Sequence, residues 1–196
     1  MAIRIHLQQS EAELFCSSKW WGDPDLPADL EYPTVEVTDE DGTYDYTLTF
    51  VCQIDCEDIA PLDPEGKLPH QGMFYIFAGL DEYLDQFESP FHNGAGPWPR
   101  KMVAVKYTKA INMETFKSQV QVDEDDEPLA QKAVALAFSA CDGSFGGLRL
   151  LGDAPEGYVT LLQIPLDPKR TLRFEIKASD LGFGNWKKAR FLLVEN

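Results

Sequence analysis

Residues 18–33, SKWWGDPDLPADLEYP, set two adjacent tryptophans beside a glycine and three prolines. Aromatic walls with a few polar groups are a common recognition surface for small molecules and peptides. Trp20 and Trp21 would line such a groove with Trp98, held between Pro97 and Pro99, and with Trp186. Arg149, Gln53 and Gln163 are the candidate polar contacts. The competing and favoured reading is an irregular strap. Proline limits the entropy lost on folding, so a Pro-rich run with buried tryptophan anchors can lie across a sheet and cover it.

Catalytic signatures are weak. CDGSFGG places a serine between glycines without the Gly-x-Ser-x-Gly spacing of a nucleophile elbow, and reads as a turn. HNGAGPWP lacks the third glycine and the flanking strand and helix of a dinucleotide site, and no Lys-Ser/Thr phosphate loop occurs. His6, His70 and His92 are far apart. Cys52 and Cys56 share a strand face with Phe50 and Ile54, which suits core packing better than metal ligation. TDEDG lacks the ligand spacing of a calcium loop and reads as a hairpin turn. Neither a metal nor a cofactor is implied.

Charge is the strongest compositional signal. The chain has 33 Asp and Glu against 17 Lys and Arg, a net charge of −16. Residues 20–99 hold eighteen of those acids against the single base Lys67, so all the excess lies there. Such a surface repels a phosphate backbone and disfavours nucleic acid, whereas a basic protein partner would be attracted. The candidate partner surface is Asp39, Glu40, Asp41, Asp81, Glu82 and Asp85. No run is long and apolar enough for a membrane span, the start has no signal-peptide core, and four cysteines are too few for a secreted disulfide scaffold. A cytosolic protein with reduced thiols is expected.

Mostly strands must position these groups. Tyr44 to Cys56 alternates as one half-buried strand, preceded by a hairpin in VEVTDEDGTYDY. GMFYIFAG is a buried strand, and MVAVKY, KAVALAFSAC, YVTLLQIPL and RFLLVEN are further strands. In TLRFEIKA, Leu172, Phe174 and Ile176 alternate with Arg173, Glu175 and Lys177, which predicts one wet face. LDEYLDQFES predicts a short helix with Leu80, Leu84 and Phe87 inward. LTFVCQID aligns with YVTLLQIP, Gln53 over Gln163, and each precedes a second strand and a short helical stretch. The expected fold class is therefore α+β: mostly antiparallel or mixed sheets with a few short helices. The chain is either a single domain over 1–196 or two related halves meeting at about residue 100.

Several of these stretches together resemble the YwqG-like family. Ser18, Lys19, Trp20, Gly22, Pro24, Leu26, Pro27, Tyr32 and Pro33 fit its opening signature, with Trp21 where a glycine is usual. FVCQID is similar to its Phe-x-x-Gln-Ile strand, KLPHQGMFYIF to its Leu-Pro-x-x-Gly stretch, LRLLGDAPEG to its Leu-Leu-Gly-x-Pro loop and VTLLQIPLD to its second Gln-Ile strand. PLDPKRTLRF is shorter and more basic than the family's ending. The resemblance implies an α+β fold with an internal repeat in bacterial cytosolic proteins, and no established activity. Two functional classes remain: a non-enzymatic, inhibitor-like acidic protein that binds a basic partner, ranked first, and a small-molecule binder or enzyme using the tryptophan groove.

Overall fold

A computed structural model describes the chain except residues 41, 85–88, 111, 123–124 and 196, and the side chain of residue 156. Among the described residues the strands are β1 (Ala2–Gln8), β2 (Lys19–Trp20), β3 (Asp25–Pro27), β4 (Thr34–Asp39), β5 (Gly42–Thr47), β6 (Thr49–Asp55), β7 (Met73–Ala78) and β8 (Gly96–Pro97). The second part adds β9 (Val103–Thr108), β10 (Phe116–Ser118), β11 (Val134–Cys141), β12 (Arg149–Leu150), β13 (Tyr158–Pro165), β14 (Arg170–Lys177) and β15 (Arg190–Glu195). Among the described residues helix is confined to α1 (Cys56–Ile59), α2 (Ala178–Gly182) and short 3-10 turns.

Eleven strands form one antiparallel sheet in the order β8-β15-β14-β13-β12-β1-β11-β2-β6-β7-β9, curled into a half-barrel. The first strand of the chain does not join the strands that follow it. It pairs with β11 and β12, while β11 pairs with β2, so the long central pair β1–β11 ties the two halves together. Partners opposite each other across strands point to one face. Ile3, Leu150, Leu162, Phe174 and Phe191 accordingly form one apolar row across the second half, all buried. Trp20, Cys52, Ile76 and Val105 form the matching row across the first half. Trp186, just before β15, packs on Phe74 in β7 at 5.0 Å, so the two ends of the curl meet over this inner face.

The α+β expectation is overturned: the chain is mostly β, with 45% strand and 14% helix. One helical run reaches seven residues, α1 continuing into the 3-10 turn Ala60–Leu62. Helix nucleation is costly, and these segments are too short to repay it. α2 runs directly into Gly182 and Gly184, and of the helix expected in LDEYLDQFES the described part is the 3-10 turn Glu82–Leu84. Leu80 and Leu84 are buried there, and Phe87 lies outside the described residues.

Two strand readings also change. Tyr44 to Cys56 is two strands broken at Leu48, and β6 is buried on both faces, Gln53 included. A bulge between Phe50 and Cys52 turns Val51 out of the simple alternation. In β14 the expected wet face is dry at its centre only: Lys177 is exposed and Arg173 half-buried, but Glu175 is fully buried because β15 places Arg190 opposite it, with Arg190 Nη2 2.7 Å from the carboxylate. The expected hairpin does form, as the separate two-stranded sheet β4–β5.

Candidate functional site

On the outer face of the first half a lysine is buried inside a polar cradle. Lys19 sits opposite Gln53, and Gln53 opposite Tyr75. Lys19 Nζ donates to Asp25 Oδ2 at 2.7 Å. The same oxygen accepts from Cys16 N at 2.9 Å and from Gln53 Nε2 at 2.8 Å. Gln53 Oε1 in turn accepts from Asp25 N, and Tyr75 donates to Asp25 O. The proline-bracketed segment is thereby stitched across β6 and β7, and Tyr32 adds a ring contact with Phe77 at 5.3 Å. Asp25 Oδ1 is buried without a hydrogen-bond partner. Lys19 and Asp25 line an open cavity of about 620 Å³ that also involves residues 10–15 and 130–133.

The second half repeats this frame around Arg149. Arg149 sits opposite Gln163, and Gln163 opposite Arg173. Gln53 Nε2 donates to Ser17 O and Gln163 Nε2 to Gly147 O, each two residues before the cation. Trp21 N donates to Val51 O and Leu151 N to Leu161 O, each two residues after it. Leu136 N donates to Ser18 O, and Ile5 N to Leu148 O. Trp21 and Leu151 both adopt left-handed backbone, φ 57° and 54°, each followed by a glycine with positive φ. Gly152 is required: a Cβ there would stand 1.1 Å from Arg149 Nη1. The common signal is Lys-Trp-Trp-Gly-Asp at 19–23 and Arg-Leu-Leu-Gly-Asp at 149–153, which inspection of the Gln-Ile strands alone passes over.

The six candidate ligand residues are not brought to one place. Gln53 belongs to the Lys19 cradle, and Gln163 and Arg149 to the other. Trp20 and Trp21 meet edge to face at 5.3 Å and line an apolar cavity of about 360 Å³ with Leu7, Val51, Leu148 and Leu172. Trp98 lies elsewhere, packed on Phe191 at 4.2 Å with Nε1 donating to Gly94 O. Trp186 occupies the seam between Phe74 and Tyr107. The left-handed Trp21 backbone is part of the fold and no sign of a ligand, since Leu151 shares it.

The acids divide too. Asp39 and Glu40 are exposed at the end of the β4–β5 hairpin. Asp81 is fully buried and accepts from Tyr83 N and Gly94 N, so it holds a loop. Glu82 is exposed and 2.9 Å from His92. Asp41 and Asp85 lie outside the described residues. Two further hairpin acids emerge from the register: Glu36 stands directly opposite Asp45, both exposed.

Burial raises every cysteine thiol's pKa, Cys16 to about 11 with Asp25 adding to the effect, Cys56 to about 12, and Cys52 and Cys141 upward. Three are buried and only Cys141 is partly exposed. Ellman's reagent at about pH 8 should therefore react quickly with one thiol in the native protein and with all four after denaturation. Two or more fast native thiols would contradict the packing described.

No curated protein matches the chain. Residues 18–149 match the family described as Domain of unknown function (DUF1963), a span from the Lys19 cradle to Arg149 that covers well over half of the sequence. The chain thus belongs to the DUF1963 family.

Proposed function

We propose that this DUF1963 chain, of YwqG-like type on the motifs quoted above, is a cytosolic, non-enzymatic interaction protein whose β4–β5 hairpin meets a basic protein partner. The observation that carries the reading is Glu36 facing Asp45. Like charges directly opposite across a strand pair cost stability. Neither has an ion pair among the described residues. Exposed Asp39 and Glu40 add charge at the hairpin's end, while Asp39 and the 42% exposed Tyr44 stand on the opposite face from Glu36 and Asp45, together with Val35 and Tyr46. The hairpin's other face is fixed to the body by Val35, which is buried, and by Tyr46 against Phe91 at 5.3 Å. A partner's lysines or arginines would remove the repulsion on docking. Nucleic acid, repelled by the same acids, and membrane have no part in it.

Neutralising these acids as Glu36→Gln, Asp39→Asn, Glu40→Gln and Asp45→Asn tests this. Capture of a basic partner from lysate at low salt should fall about tenfold or more, while the melting temperature stays level or rises as the repulsion is relieved. Undiminished capture, or a marked loss of stability, would refute the reading.

A second reading draws on the apolar cavity beside Trp20 and Trp21. Its size suits a small apolar ligand. Binding there would be indifferent to salt and to the hairpin variant, but weakened by Trp21→Ala.

A further inference from the structure

The two cradles share a frame and differ in charge. Around Lys19 the opposing residue on the central strand is Ala135, the residue beyond the glutamine is Tyr75, and Asp25 supplies a carboxylate six positions on. Around Arg149 the corresponding positions hold Arg4, Arg173 and Pro155. The second cradle therefore gains two arginines and lacks the acid. Arg4, Arg149 and Arg173 stand in one row on the outer face of β1, β12 and β14, with Gln163 between the last two.

None of the three has an ion pair among the described residues. Of the nearby acids, Glu175 is held by Arg190 through Oε2 with Oε1 buried and unpartnered, Asp142 accepts from Ser144, and exposed Asp153 forms no ion pair with Arg149 although its charge favours the guanidinium. Arg149 is 3% exposed, with Nη1 on Leu151 O, Nη2 on Gln163 Oε1, and Nε buried without a partner. Arg173 Nε is likewise buried and unpartnered. Arg4 is exposed, its guanidinium 5.0 Å from the Phe145 ring, and forms the solvent end of the row. Burial, and after it the Arg173 charge, push the Arg149 pKa down. In a chain of net charge −16, three adjacent guanidiniums without an ion pair among the described residues are an arrangement that a bound anion would complete. Guanidinium N–H groups are suited to oxyanions by charge and by geometry.

We propose that the Arg4–Arg149–Arg173 row is a binding site for an oxyanion, the phosphate or carboxylate group of a small ligand, which takes the role that the Asp25 carboxylate fills in the other cradle. The site is distinct from the acidic hairpin and does not depend on it.

Thermal shift of the intact chain, titrated with inorganic phosphate or acetate against sodium chloride at matched ionic strength, tests the proposal. A saturable rise in melting temperature beyond that in chloride is expected, and the more effective anion identifies the group. Arg173→Gln and Arg4→Gln should each weaken the apparent affinity about tenfold or more, the loss of one charge-assisted hydrogen bond. In chloride alone Arg173→Gln should match or exceed the parent's melting temperature, because a like charge beside Arg149 is removed; a residue with a purely structural role would lower it. Arg4→Gln, at an exposed position, keeps the test open if the other variant folds poorly. Equal curves in phosphate, acetate and chloride, or variants that respond as the parent does, would overturn the site.

Discussion

Asp25→Ala is expected to destabilise the protein by about 3–5 kcal/mol, the usual cost of removing one partner from a buried ion pair. The carboxylate is fully buried and takes hydrogen bonds on one oxygen from Lys19, Cys16 N and Gln53. Deleting it leaves the Lys19 ammonium without a counter-charge and a backbone N–H and a side-chain amide each short of an acceptor. Against a typical total stability of about 5–15 kcal/mol, that loss leaves much of the chain unfolded at modest urea concentrations. A shift of the urea midpoint measures it. Adding Lys19→Met should recover the part due to the stranded ammonium, while Cys16 N and the Gln53 amide stay without the Asp25 acceptor. A single variant within about 1 kcal/mol of the parent would show that the cradle does not hold the strap.

Phe50→Ala should cost about 3–5 kcal/mol. Its ring is buried and 5.5 Å from Phe77, in the layer covered by the 23–33 segment. Tyr44→Ala, in the same apparent alternation of the sequence, should change stability by less than about 0.5 kcal/mol because Tyr44 is 42% exposed. Equal effects from the two substitutions would restore the single continuous strand that the alternation suggests.

That contrast shows what periodicity could and could not tell. The apolar runs at 73–78, 134–141 and 158–165 are strands because their composition leaves few alternatives. Alternation misreads Gln53 in β6 and Glu175 in β14 because burial of a strand's polar side depends on distant partners. Gln53 is dry only because residues 16–25 fold back over it, and Glu175 is dry only because β15 delivers Arg190. The exchange that sends β1 to β12 and β11 to β2 joins residues more than a hundred positions apart, and no local pattern specifies it. The hairpin register shows how fine the margin is: Asp39 pairs with Gly42, one residue away from a turn centred on Asp-Gly, and this sets Glu36 against Asp45. One local signal does specify the cradles. Lys-Trp-Trp-Gly-Asp and Arg-Leu-Leu-Gly-Asp both carry a buried cation, a left-handed residue and a glycine in one order.

The interaction reading is tested most directly by the association rate of the captured partner as a function of salt, for the parent chain and for the hairpin variant with Glu36, Asp39, Glu40 and Asp45 neutralised. Long-range attraction predicts that the parent's on-rate falls steeply with added salt, that the variant associates about tenfold or more slowly at low salt, and that the two converge at high salt with similar off-rates. On-rates that are indifferent to salt and equal for the two chains would contradict the account, and weakened binding in Trp21→Ala would then transfer recognition to the apolar cavity.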